Sequence, residues 1–415
     1  MNPRPSGKPL NLTERSDKGT LVISIMSACV LIAGHIGTVG SPSLGRGAGF
    51  CSNTAQDRQS VPSRNRFAGR NESRREKIAL GRRLFFDKRL SADGTVSCAT
   101  CHDPAAAFSS RDAVAIGINN RIGTRNVPTV LNAGYGKNYF WDGRALSLEE
   151  QARQPLLSPS EMGMNSESAV LERISSIAEY RSMFRKLFPR QGITLETITK
   201  AIAAYERTLL SNNAPFDRFF AGVDTAISEN QKKGWALFKG KAGCIECHTY
   251  STQLFTDFKF HNTGVGVKNH FDDLVERTLE ITNGSSNVRQ DPGLLAHQSA
   301  FSELGRFLVT GKRKDISAFK TPTLRDIELT GPYMHDGSLK TLLDVMRFYN
   351  QGGFRNPMLD EKVKPLDLSE QEMSEIVEFL RALTSNDVLR LVQSSRPQTR
   401  DKVQLPTARR FRAKE

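Results

Sequence analysis

A mainly helical protein made of two related units is predicted by three features of this 415-residue sequence. The pentapeptide Cys98-Ala99-Thr100-Cys101-His102 has a counterpart in Cys244-Ile245-Glu246-Cys247-His248. The stretch before each carries one signature, Gly81-x-x-Leu84-Phe85 and then Gly234-x-x-Leu237-Phe238, as a duplicated unit would. Most of the sequence between and after them reads as amphipathic helices with recognisable start signals.

Each pentapeptide has the C-x-x-C-H spacing of a c-type haem attachment site. Two thiols two residues apart can both form thioethers to the vinyl groups of one porphyrin. The next residue, His, then reaches the iron as proximal ligand. Cys98, Cys101 and His102 are the expected set for a first haem, and Cys244, Cys247 and His248 for a second. A C-x-x-C redox pair has no need of the His. A zinc site drawing on both pentapeptides is the remaining rival at this point. The other two cysteines, Cys29 and Cys51, precede the folded part.

In chain order, Arg4, Lys8, Arg15 and Lys18 precede an apolar stretch at 21–36, and small residues follow at 37–43. Residues 1–43 read as a secretory signal with a long basic start, or as an uncleaved N-terminal anchor. The apolar run is short for a membrane span, which needs roughly 20 residues. Export to the periplasm agrees with the pentapeptides, because c-type haem is attached outside the cytoplasm. Residues 44–75 read as a flexible linker and 394–415 as a basic disordered tail. The formal net charge is +14, but residues 1–75 carry +7 of it and residues 395–415 carry +5. The folded middle is nearly balanced, which removes the main argument for nucleic-acid binding.

The first unit is expected over 76–212. Ile78, Leu80, Leu84 and Phe85 suggest a helix leading to the first haem, and further helical patterns cover 147–154, 167–188 and 193–210. A boundary falls near Ser211-Asn212-Asn213-Ala214-Pro215. The second unit is expected over 213–393. Ser228 with Gln231 starts its helix before the second haem in a capping-box pattern. Residues 262–315 look loop-like, with Asn283-Gly284-Ser285-Ser286 and Asp291-Pro292-Gly293 as turns. Thr341 and Asp344 cap a helix reaching Tyr349, and Ser369 with Glu372 caps another, with Ile376, Val377, Phe379 and Leu380 as its apolar face.

From about Leu80 to Leu383 the chain resembles the bacterial dihaem cytochrome c peroxidases and their MauG relatives. The likeness rests on Leu84-Phe85-Phe86-Asp87, the first haem motif, Phe140-Trp141-Asp142-Gly143-Arg144, Gln151, Pro155, Glu161-Met162-Gly163 and Pro332-Tyr333-Met334-His335-Asp336-Gly337. The resemblance implies two cytochrome c-like domains, one c-type haem in each, with the active site at the N-terminal haem. His102 would be the proximal ligand there and Glu161 the distal acid. A carboxylate over an open iron site takes a proton from the near oxygen of peroxide and delivers it to the far one. Gln151 and Pro155 match pocket residues. Trp141 matches the tryptophan between the haems, where an indole relays an electron. Asn126, Thr330 and Pro332 match the residues that hold a calcium ion, whose preference is for oxygen ligands.

Two departures matter. Many dihaem peroxidases cap the first haem at rest with a second His, in the loop before the Arg-Asn pair. That position here holds Ile118, and no His occurs between His102 and His248. The expectation is a first iron that needs no reductive opening. The sixth ligand of the second iron is a Met in many relatives, fourteen residues after the His of the Pro-Tyr-x-His motif. Here that position is Tyr349, as in MauG, with Met346 as the rival one turn away. A thioether favours Fe(II), whereas a phenolate favours Fe(III). His335 is expected near a haem, and His261, His270 and His297 as ordinary loop histidines.

Three functions compete. The first is a periplasmic peroxidase that reduces hydrogen peroxide with electrons from a small cytochrome c or a cupredoxin. The second is a MauG-like oxidase that uses peroxide on a protein partner. The third is a dihaem electron-transfer cytochrome, which has no use for Glu161. The resemblance also implies pairing as a homodimer.

Overall fold

Helix α1 (Arg75–Phe86) buries Leu80, Gly81, Leu84 and Phe85 on one face, with Glu76 in its first turn and Arg83 in its last to suit the helix dipole. The computed structural model describes residues 75–267, 271–282 and 291–395, all within one unit, Asp57–Glu415. The expected signal and anchor, the linker up to residue 74, His270, the turn at 283–286 and the tail from 396 lie outside the described residues. No described helix is long and apolar enough to cross a membrane.

The first core is organised by α1 crossing α5 (Leu195–Glu206). Gly81 permits the crossing: a Cβ there would lie 1.8 Å from the Ala201 carbonyl oxygen. Helix α2 (Leu148–Leu157) packs on α5 from another side. The expected helix at 167–188 is two helices, α3 (Glu167–Ser176) and α4 (Ala178–Leu187). Ile177 breaks them with an extended backbone.

The second core repeats the device. Helix α6 (Pro215–Phe220) precedes α7 (Glu229–Lys239), and α7 crosses α10 (Glu370–Arg381) at Gly234. A Cβ at Gly234 would lie 1.9 Å from the Glu375 carbonyl oxygen. Phe216, Trp235, Phe238, Phe255 and Phe379 pack around this crossing. Arg325 is fully buried and grips Asp217 of α6 with two 2.6 Å bonds. The expected capping pairs form at Ser228–Gln231, Thr341–Asp344 and Ser369–Glu372.

Residues 262–315 are not simply loop. They contain α8 (Phe271–Thr282) and shorter helices at Pro292–Ala296, Ser299–Ser302 and Phe307–Thr310. In α8, Leu274 and Thr278 turn inward four residues apart, a period that the neighbouring Gly, Pro and Asn signals obscured. Helix α9 (Leu342–Asn350) follows. Helix α11 (Asn386–Ser395) returns to the first core, where Val388 and Val392 are buried. The only strands among the described residues are two residues long, Phe260–His261 paired antiparallel with Phe319–Lys320. The protein is thus mainly helical, with two large packed cores and a smaller cluster of Val267, Leu274, Leu304, Phe307 and Ile316.

Candidate active site

Both C-x-x-C-H segments face one continuous cavity of about 450 Å³, lined by Cys98, Cys101, His102, Cys244, Cys247 and His248. Each His is held the same way. His102 Nδ1 lies 3.2 Å from the Phe108 carbonyl oxygen and His248 Nδ1 lies 2.9 Å from that of Phe255. An imidazole that donates through Nδ1 presents Nε2 as a lone-pair ligand. Burial lowers the pKa of both rings, which keeps them neutral and ready to bind a metal. Burial also pushes Cys101 up to about 11 and Cys244 up to about 12.

The residues fit haem and not zinc. Among the described residues, the one group of three His, Cys, Asp or Glu donors close enough to hold an ion is Cys247, Asp257 and His261. The four motif sulfurs do not converge on one ion site. Each pair instead opens on a cavity beside its own prepared histidine.

Glu161 is placed by the end of α2. Pro155 within that helix offers its carbonyl to the Met162 amide, and Leu156 offers its own to Met164. The chain thereby doubles back over 158–164. Gly117 comes so close to this loop that a Cβ would lie 1.9 Å from the Ser160 carbonyl oxygen, and the Ile118 amide donates to the Glu161 carbonyl at 2.9 Å. The Ile118 side chain is buried in the first core. The Glu161 carboxylate lines the cavity with Gln151, Pro155 and His102. Its Oε2 is buried and has no hydrogen-bond partner.

His297 also lines this pocket, contrary to its expected role as an ordinary loop histidine. Its Nε2 lies 3.7 Å from Glu161 Oε2 and its Nδ1 lies 3.2 Å from Ser160 Oγ. It arrives on a segment 137 residues from Ser160, so no local pattern could reveal it.

In the wall of the same cavity, Trp141 donates its indole N–H to the Asn126 carbonyl at 2.8 Å, and its own carbonyl accepts from the Lys320 amide at 2.8 Å. Asn126, Thr330 and Pro332 line the same cavity. The Asn126 amide accepts no role in a carboxylate cluster: its Nδ2 donates to the Ala113 carbonyl at 3.1 Å. His335 lines the cavity as well. Its ring stacks on Phe319, stands edge-on to Trp141 and bonds Glu303 at 2.7 Å. Burial opposes ionisation of Glu303, but His335 and Arg125 outweigh it and hold the carboxyl at about 2. Burial lowers the Lys320 ammonium to about 8.

At the second motif the structure separates the two rival ligands. Tyr349 lines the cavity, and burial raises its pKa, with Cys244 and Cys247 nearby. Met346 is 3% exposed and packs in the second core. His261, expected as a loop histidine, sits between two carboxylates, 2.6 Å from Asp360 and 3.1 Å from Asp257.

Residues 75–226 match the family described as di-haem cytochrome c peroxidase. The chain is 42% identical over 309 residues to the methylamine utilization protein MauG of Methylorubrum extorquens, covering 74% of this chain and 78% of that one. It is 38% identical over 317 residues to the cytochrome-c peroxidase IdrP1 of Denitromonas iodatirespirans, covering 76% and 83%. Among solved structures, a MauG-like protein associated with microbial copper homeostasis superposes with a TM-score of 0.63 at 30% identity, covering 77% of this chain and 92% of that one.

Proposed function

The chain belongs to the di-haem cytochrome c peroxidase and MauG family, and from that premise we propose that it is an exported peroxidase acting on hydrogen peroxide at the first haem. The observation that carries this reading is Glu161 Oε2, buried without a hydrogen-bond partner in the cavity that also holds Cys98, Cys101 and His102. An unpaired buried carboxylate oxygen is costly unless a ligand supplies its partner.

When bound, the haems supply iron centres that bind peroxide and exchange electrons. Cys98 and Cys101 would anchor the first and Cys244 and Cys247 the second, with His102 and His248 as proximal ligands. Glu161 takes the proton of the near peroxide oxygen and gives it to the far one, which leaves as water. Gln151 and Pro155 shape the space beside it. Trp141, in the wall of the same cavity, would relay electrons between the two haems. Tyr349, which lines the cavity near Cys244 and Cys247, would offer its phenol oxygen to the second iron. Oxygen atoms of Asn126, Thr330 and Pro332 suit a calcium ion. The donor is a small redox protein, a cytochrome c or a cupredoxin.

The exposure of Tyr349 to the cavity, with Met346 in the core, favours one second reading. A phenolate on the second iron suits peroxide-driven oxidation of a protein partner, as in the MauG branch.

The test is to mix the all-ferric holoprotein with one equivalent of hydrogen peroxide and follow the spectrum by stopped flow. A fast change without reductant is expected, and E161Q should slow it by about 10²–10⁴-fold. An E161Q protein that reacts like the wild type would overturn the reading. Turnover with a small reduced cytochrome supports the peroxidase, and oxidation of a protein partner in its place supports the second reading.

A further inference from the structure

Glu161 faces a histidine from the far half of the chain, His297. The segment 291–303 brings Ala296 and His297 to the wall of the cavity beside Glu161 and is tied there by several bonds. Thr124 Oγ1 donates to the Ala296 carbonyl at 2.6 Å, and Arg125 bonds the Ser302 carbonyl and Glu303. This seats His297 over Glu161, with side chains 21% and 23% exposed. Ser160 Oγ lies 3.2 Å from Nδ1; the tautomer in which that hydroxyl donates carries the ring proton on Nε2, the nitrogen that faces Glu161 Oε2 at 3.7 Å. A small rotation closes that gap to a hydrogen bond, as distal groups often do once a ligand is bound.

We propose that His297 is a positioning residue for the distal acid, its Nε2–H holding the Glu161 carboxylate in place toward peroxide. The proposal rests on the peroxidase reading of Glu161 and adds a residue to it. The groups that face His297 are Glu161 and Ser160 from the doubled-back loop, and Arg144, Arg125 and Asp142 at longer range. Burial lowers the pKa of His297, Glu161 opposes that shift, and the two arginines add to it. The ring is therefore neutral at neutral pH and gains its proton only below its ordinary 6.5. An imidazolium beside Glu161 ties the carboxylate in an ion pair and withdraws it from peroxide.

Two measurements on the holoprotein decide the matter. The first is the rate of peroxide reaction against pH in wild type, H297A, H297Q and S160A. The wild-type rate should fall on the acid side. H297A should be roughly tenfold to a hundredfold slower, a partial loss of the acid–base contribution. H297Q, which keeps a donor but cannot titrate, should recover most of the rate and lose the acid limb. S160A should fall between. H297A with the wild-type rate and pH profile would overturn the proposal.

The second is a pH titration of the ferric spectrum without peroxide, which reads the contact independently of turnover. A transition below about pH 6.5 should vanish in H297Q and move to lower pH in E161Q, because the carboxylate raises the His297 pKa. A transition with the same midpoint in E161Q would sink the Glu161–His297 coupling. A shifted midpoint together with an unreactive wild type would support the coupling and count against the peroxidase reading alone.

Discussion

Trp141 Nε1 donates to the Asn126 carbonyl oxygen at 2.8 Å, which fixes the indole plane in the wall of the cavity that both C-x-x-C-H segments line. W141F keeps most of the aromatic packing but strands that buried carbonyl, at a cost of about 1–3 kcal/mol in holoprotein unfolding. The same variant should slow donor-supported peroxide turnover and leave the donor-free reaction with peroxide near its original rate. Unchanged turnover would remove Trp141 from the electron path.

Gly81 and Gly234 carry the two helix crossings. Alanine at either puts a Cβ less than 2 Å from a backbone oxygen, at Ala201 or at Glu375, and backbone cannot move aside as a side chain can. G81A and G234A should each destabilise the holoprotein by about 1–3 kcal/mol. Thermal unfolding of the two variants checks this, and a melting temperature equal to wild type at either site would contradict the crossing.

Arg325 and Asp217 form a buried ion pair with side chains 1% and 10% exposed. Removing one partner leaves the other charge without compensation, so R325M should cost about 3–5 kcal/mol in urea unfolding. Replacing both, as in R325M with D217L, should recover much of that loss. It will not recover all of it, because Asp217 Oδ2 also accepts from the Ala214 amide at 2.8 Å and caps α6.

Glu206 is 5% exposed, its Oε2 has no hydrogen-bond partner, and burial raises its pKa to about 8. The unfolded chain releases this proton near the ordinary 4.5, whereas the folded chain holds it to about 8. The unfolded state therefore binds fewer protons in that window, and stability falls as pH rises through it. E206Q stays neutral and should flatten the fall. Denaturation curves across the window measure the difference, and equal slopes in wild type and E206Q would refute the assignment.

The sequence by itself determined the repeated unit and its chemistry, because both depend on short spacings. A thiol pair with an adjacent His is legible within five residues. The Gly-x-x-Leu-Phe signature was legible as a repeat, whereas the close helix crossings that need Gly81 and Gly234 appear only in the structure. The capping pairs at Ser228, Thr341 and Ser369 were legible because a cap bonds within three residues of itself.

Tertiary structure alone decided what joins across distance. Tyr349 and Met346 lie on one helix, and only the packing of α9 sends Tyr349 to the cavity and Met346 to the core. Helix α11 comes after α10 of the second core in sequence yet buries Val388 and Val392 in the first core. His297 reaches Glu161 from a stretch whose turn residues read as loop, and His261 finds Asp360 across 99 positions. Such contacts are set by the global fold, through burial and shape, and leave no periodic trace in the residues that make them.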